Sequence, residues 1–230
     1  MENVKNHFEE EAKEFDNLIL KLIPYYHEMI DSLIASLPFN TINSIKVLDL
    51  GCGTGNVSLA VKKRFPNSRI TCVDLAENMI EMAQLKLSEY DDIQYQVADF
   101  SEMVFDYEYD AVVSSLAMHH LRTDEDKKKL YIKIYDALQD GGVFYNADWI
   151  LGPNNYLNNV YLEKWKEFML KRVPLAEIEG KWLPKHYDED VPSKLINHID
   201  WLKDIGFKDV DVVWKYYGNA VFGGVKQLEI

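Results

Sequence analysis

The sequence predicts an α/β chain built on a doubly wound, seven-stranded, mostly parallel sheet, and three observations carry that prediction. Short β-branched apolar runs alternate with helical stretches from Ile45 to Asp148, the texture of a parallel sheet covered on both faces. A glycine-rich loop follows the first of those runs, and the chain closes on two runs separated by a short turn, an antiparallel C-terminal hairpin at one edge of the sheet. The 230 residues, 47% of them apolar, suffice for a single domain with a sizeable core.

Ahead of the sheet, Phe15, Leu18, Ile19, Leu22, Ile23, Met29, Ile30, Leu33 and Ile34 recur at three- and four-residue spacings broken by Pro24. That pattern predicts two amphipathic helices meeting near Ile23 to Tyr26, an N-terminal helical cover. The strands are expected at Ile45–Leu50, Arg69–Val73, Ile93–Ala98, Tyr109–Ser114 and Gly142–Ala147, with helices between them at Asn56–Arg64, Asn78–Tyr90 and Asp124–Gln139. The last of these helices opens on acidic residues and stops at Gly141, as the helix dipole and a glycine C-cap favour. From Gly152 to Asp190 the alternation ceases in favour of Trp, Tyr, Asn and Pro with helical patches such as Tyr156–Lys171, so a helical insertion that covers something is expected. A helix near Lys194–Asp204 and strands near Asp209–Trp214 and Ala220–Lys226 follow, with Gly218 and Asn219 as the hairpin turn.

Composition narrows the partners. Twenty-five basic against 38 acidic side chains leave a formal net charge of −13, a field that repels a phosphate backbone. Nucleic acid and anionic membrane are therefore excluded as partners, and a monomer or homodimer is expected. No uncharged apolar run reaches the roughly 18 residues a bilayer span needs, Met1 to Phe15 does not read as a secretory signal, and the two cysteines are Cys52 and Cys72. A cytoplasmic protein is expected.

The most informative stretch is Val47-Leu48-Asp49-Leu50-Gly51-Cys52-Gly53-Thr54-Gly55-Asn56. A buried strand that enters three glycines spaced by two, and then a helix, lets backbone approach a ligand at the carboxyl edge of the sheet. The dinucleotide fingerprint requires its third glycine or alanine where Asn56 stands, so the spacing argues against a pyrophosphate seat. Asp49 beside the loop suits an ammonium group better than a phosphate, although a carboxylate there also serves as a simple cap. Asp74 ends the second strand, where ribose hydroxyls are gripped or a helix is capped, and Asp99 ends the third, where a turn residue is equally at home.

Together these residues resemble motif I and the acidic strand ends of the class I S-adenosylmethionine-dependent methyltransferases, in the branch that acts on small molecules. The resemblance is carried by Asp49 to Gly55, by Cys72-Val73-Asp74-Leu75-Ala76-Glu77-Asn78-Met79 and by Val97-Ala98-Asp99-Phe100, and it spans Ile45 to about Asp148. It implies S-adenosyl-L-methionine as cofactor and S-adenosyl-L-homocysteine as product. Gly51, Gly53 and Gly55 would admit the methionine and ribose portions, with Cys52 packed in the same loop and without chemistry of its own, and Asp49 would order the amino group or its water. Asp74 would bind the ribose hydroxyls, Leu75 and Met79 would pack the adenine, and Ala98, Asp99 and Phe100 would border its amino edge. Ser115 and Leu116 would flank the transfer point. The single domain then comprises the cover (1–41), a cofactor-binding core (45–150), a lid insertion (152–192), and a helix with terminal strands (194–230).

On the acceptor side, Ser114-Ser115-Leu116-Ala117-Met118-His119-His120-Leu121 replaces the Asn/Asp-Pro-Pro-Tyr or Phe tetrapeptide of enzymes that methylate base amino groups or glutamine amides. With the negative charge, that argues for a small-molecule acceptor. His120 is the candidate general base, ahead of His119, against the alternative that both pack the loop, because alignment and exclusion of water can drive such a transfer without a base. No metal is expected, since two adjacent histidines without Cys-x-x-Cys or His-x-x-x-His spacing need a carboxylate from afar, Asp148 or Glu125.

Tyr25, Tyr26, Trp149, Tyr156, Tyr161, Trp165, Trp182 and Tyr187 lie in the cover and the insertion, where they either fill the interface or hold a sulfonium by cation–π attraction; Tyr25 is the foremost candidate. Lys171, Arg172, Lys181 and Lys185 either meet an acidic acceptor or are solvated surface. Three other activities share parts of this pattern: a nicotinamide oxidoreductase, an enzyme that builds carboxylated adenosylmethionine, and a cofactor-binding protein without catalysis.

Overall fold

Period-two alternation along the central strands divides the core into two layers. In β1 (Lys46–Leu50) Val47 joins Ala111, Val113, Tyr145 and Val221, whereas Leu48 and Leu50 join Val112, Phe144 and Phe222 on the opposite face. The computed structural model describes residues 2–105 and 108–227. Its further strands are β2 (Arg69–Asp74), β3 (Ile93–Val97), β4 (Tyr109–Ser115), β5 (Leu138–Trp149), β6 (Lys208–Tyr216) and β7 (Asn219–Val225). They form one seven-stranded sheet in the order β3-β2-β1-β4-β5-β7-β6, parallel through β5, with β7 antiparallel to both β5 and β6.

The helices are α1 (Glu2–Glu11), α2 (Phe15–Leu22), α3 (Tyr26–Ala35), α4 (Asn56–Arg64), α5 (Glu77–Lys86), α6 (Asp124–Ala137), α7 (Asn155–Met169), α8 (Leu175–Glu177), α9 (Leu183–Glu189) and α10 (Leu195–Ile205). Met29, Leu33, Val57, Val61 and Ile80 bring α3, α4 and α5 onto one face, and Leu130, Ile134, Ile199 and Leu202 bring α6 and α10 onto the other. A third cluster holds the insertion together: Trp149, Trp165, Met169, Ile178 and Trp182, backed by Leu18 and Leu22 of α2. The strand order reverses between β1 and β4, so the connections leaving their carboxyl ends diverge and open a crevice. No helix among the described residues is long and apolar enough to cross a membrane.

Several boundaries differ from expectation, each for a local reason. Helix α1 was not foreseen because its apolar stripe is thin: Val4, Phe8 and, just past its end, Ala12 recur every fourth residue among charges, and Val4 and Ala12 are buried. Helix α6 ends two residues early and β5 begins at once, because Leu138 pairs with Tyr109 before a register shift. A Cβ at Gly142 would lie 2.8 Å from the Gln139 carbonyl oxygen, so the backbone crosses there at glycine distance. The terminal turn is Tyr217-Gly218, since Asn219 already pairs with Tyr216 and Trp149.

Candidate active site

The first crevice is made by the loops that follow β1, β2 and β4. Gly51, Gly53 and Gly55 all take positive φ (+68°, +53° and +82°), which an L side chain resists. A Cβ on Gly51 would come within 2.2 Å of the Ala117 Cβ, so this position excludes any side chain outright. Gly55 serves packing instead, because its Cβ would press on Leu87 and Ala83 at 3.1 and 3.2 Å, and it does not line the crevice. Asp74 ties two loops together: its Oδ2 accepts from the Gly53 N–H at 2.8 Å and its Oδ1 from the Ala76 N–H at 2.9 Å.

Of the residues singled out in the sequence, Gly51, Cys52, Gly53, Asp74, Leu75, Met79, Phe100, Ser115, Leu116 and His120 line this crevice. Five do not. Asp49 lies fully buried next to the loop, where its Oδ2 accepts from the Ser58 hydroxyl at 2.6 Å and its Oδ1 has no hydrogen-bond partner among the described residues. Burial, with the Asp74 charge adding to it, pushes the Asp49 carboxyl up to about 7, and burial also raises Asp74. Asp99 folds its own turn by accepting from the Ser101 N–H at 2.9 Å and hydroxyl at 2.6 Å, and Ala98 beside it is likewise off the wall, as is Gly55.

Tyr25 is also outside. It precedes α3 in a left-handed conformation and packs on Tyr216 at 4.7 Å, 46% exposed, while the next residue, Tyr26, is buried and lines the crevice. The cover contributes four further residues that sequence spacing did not assign to the site, Val4, Lys5, Phe8 and Phe15. The neighbouring Cys72 thiol and burial together raise the Cys52 thiol well above its ordinary value, which leaves it protonated and inert.

A second cavity adjoins the first and shares Phe8, Phe15, Leu116 and His120 with it. Its far walls are Trp149, Trp165, Trp182 and His186, with Leu18 and Leu22 from α2. Of the insertion's aromatics, Tyr156 and Tyr187 point to solvent, and of its basic residues Lys185 lines the cavity while Lys171 and Arg172 sit against Phe168 outside it. Lys185 and Lys181 each approach Glu11 at 3.0 Å, and His7 bonds the same carboxylate at 2.8 Å. Burial works to raise Glu11, but these three partners win and hold it at about 2.

The cavity floor is polar. A 3₁₀ turn at Met118–His120 presents two imidazoles, and Asp148 at the end of β5 accepts from His119 Nδ1 at 2.5 Å. Asp190, just beyond α9, places Oδ1 3.4 Å from His119 Nε2 and 3.3 Å from His120 Nδ1, while its Oδ2 accepts from His186 Nδ1 at 2.7 Å. Burial alone would lower His119, but the two carboxylates overrule it and carry the imidazole up to about 10. Burial and that neighbouring cation push His120 down to about 3, so it is neutral and a weak proton acceptor. Sequence spacing gave no sign of Asp190 or His186, which reach the histidines through tertiary packing alone.

Residues 47–142 match the family model of a methyltransferase domain. The chain is 26% identical over 221 residues to the carboxy-S-adenosyl-L-methionine synthase of Nautilia profundicola, across 93% of this chain and 91% of that protein. The enzyme of the same name from Helicobacter hepaticus is 27% identical over 212 residues, across 89% and 87% of the two chains. Human N-acetylserotonin methyltransferase, solved in complex with S-adenosylmethionine, superposes with a TM-score of 0.64 at 17% identity, over 96% of this chain and 57% of that one. The residues present suit that cofactor: a loop that excludes a Cβ at Gly51 and two buried carboxylates, one with an oxygen unpartnered among the described residues, favour a ligand carrying positive charge. Residues 47–142 thus match a methyltransferase domain, and the strand order and donor set make the chain similar to the class I S-adenosylmethionine-dependent methyltransferases, whose cofactor, S-adenosylmethionine, its residues fit.

Proposed function

We propose that this enzyme methylates a small organic acceptor held in the aromatic cavity next to the cofactor crevice. The observation that carries the reading is the shared border: Phe8, Phe15, Leu116 and His120 line both spaces, so a donor methyl in one would directly face an acceptor atom in the other beside these four side chains. When bound, S-adenosylmethionine supplies an electrophilic methyl group on a sulfonium. Gly51, Cys52 and Gly53 would hold its methionine and ribose portions, Asp74 its ribose hydroxyls, and Asp49 Oδ1 its amino group or an intervening water. Leu75, Met79 and Phe100 would pack the adenine, with Ala98 and Asp99 behind its edge, and Tyr26, Ser115 and Leu116 would surround the transfer point. Tyr26 takes the place foreseen for Tyr25.

The protein's contribution is alignment and exclusion of water, since the walls of both spaces are largely apolar and α1 adds Val4 and Phe8 to them. His120 would orient the acceptor as a neutral hydrogen-bonding group. The net charge of −13 and the aromatic lining of the second cavity favour a small molecule over nucleic acid. Two buried, unpaired cysteines suit a reducing compartment, and the cytoplasm is the one we propose.

A second reading, synthesis of carboxylated adenosylmethionine, is favoured by the relatives named above. It requires a cation near the transferred carboxylate, and Lys5 in the crevice and Lys185 in the cavity are the lysines available. Mass spectrometry of reactions with S-adenosylmethionine and a panel of phenols, thiols, amines and carboxylic acids separates the two. Formation of S-adenosylhomocysteine together with an acceptor heavier by one methylene supports methyl transfer. A cofactor that gains a carboxylate, with no S-adenosylhomocysteine from any acceptor, replaces our reading with the second.

A further inference from the structure

We infer that His119, His120 and Asp190 form a binding site for a divalent first-row transition metal in the floor of the second cavity. One ligand atom from each of the three lies within 4.8 Å of the others, and both imidazoles approach the same Asp190 oxygen, at 3.4 and 3.3 Å. Two imidazoles and one carboxylate suit Zn2+ or Fe2+ and are a poor donor set for Mg2+ or Ca2+, which take mainly oxygen.

The surroundings are those of a supported metal site. His119 donates from Nδ1 to Asp148, leaving Nε2 directed at Asp190, and Asp148 is itself fixed by the Asn146 amide at 3.1 Å and the Trp149 N–H at 2.9 Å. This carboxylate–histidine pairing sets the tautomer and orientation of a ligating imidazole. His186 holds the far oxygen of Asp190 in the same way. Charge points in the same direction, because the buried Asp148 carboxylate and the partly buried Asp190 carboxylate both face His119, Asp190 also facing His120, and a dication balances both. All three ligands border the cavity, so a donor atom of a cavity-bound molecule can complete the coordination shell. The sequence argued against a metal because the histidines are adjacent and bring no partner of their own. The fold supplies that partner from 70 residues away, at the end of α9.

The inference concerns metal binding and stands or falls separately from methyl transfer. Full-length protein is stripped with a chelator and titrated calorimetrically with ZnCl2, and the zinc-loaded wild type is examined by X-ray absorption spectroscopy. One equivalent of zinc, with two imidazoles and an oxygen at roughly 2.0–2.2 Å in the first shell, is expected. Asp190→Ala should abolish stoichiometric binding, and Asp148→Asn should weaken it about 10- to 100-fold, with circular dichroism and S-adenosylhomocysteine titration reporting the folded state of each variant. Absence of a single zinc site in wild type, a shell without two imidazoles, or unchanged affinity in a folded Asp190→Ala protein would overturn the inference. If that variant does not fold, the wild-type spectrum alone decides.

Discussion

Asp49 is the residue whose environment makes the sharpest demand. It is completely buried, one oxygen is occupied by Ser58, and the other has no hydrogen-bond partner among the described residues. Its folded value, near 7, lies above that of an unfolded aspartate, so the protein without ligand favours the protonated form, and the stability this contributes declines as pH rises from about 4 through 7. A ligand ammonium favours the ionised form and so must displace that proton at lower pH. Affinity for S-adenosylhomocysteine should therefore weaken about tenfold between pH 8 and pH 6, and Asp49→Asn should flatten the profile; a flat wild-type profile in calorimetry refutes the role. Asp74 makes a second, independent prediction. Replacing it with Ala removes a charged acceptor from the crevice and two loop hydrogen bonds, and should cost roughly 1–3 kcal/mol of cofactor affinity. An unchanged dissociation constant would place the ribose elsewhere.

At the scale of elements, the site is divided between segments that are local in sequence and segments that are not, and this division decides what could be read in advance. The loops after β1 and β2 are adjacent strand-to-helix turns whose residues announce their geometry, so Gly51, Gly53 and Asp74 were legible from type and spacing. Tyr25 and Tyr26 show where such reading ends: spacing brings both to the start of α3, but the left-handed backbone at Tyr25 turns one to the surface and the other into the crevice. Asp190 and α1 were invisible for a further reason. Their contacts span long separations, as in the His7–Glu189 bond across 182 residues, and no local pattern encodes such a pairing. Helix α1 is fastened by the Glu9 carboxylate, which accepts from the N–H groups of Glu77 and Asn78 at 2.7 and 2.8 Å and so caps α5 from outside. Glu9→Ala should remove capping energy of about 0.5–2 kcal/mol and accelerate hydrogen exchange in α1 and the first turn of α5, with little change in the central strands. Exchange rates equal to wild type in both segments would show that α1 is held by its apolar stripe alone.

For the whole molecule, a conventional sheet carries two unequal spaces at its carboxyl edge. The crevice beside β1 and β2 is framed by backbone geometry and buried acids, whereas the adjoining cavity is framed by three tryptophans from the end of β5 and the insertion, and by a histidine–aspartate floor. Their common wall at Phe8, Phe15, Leu116 and His120 is the feature on which the functional reading depends. A crystal structure of the protein with S-adenosylhomocysteine tests it most directly. The adenosine should lie against Met79 and Phe100, the ribose at Asp74, and the sulfur at the shared wall facing the tryptophan-lined cavity. A sulfur turned away from that cavity, or a ligand bound outside the crevice, would contradict it.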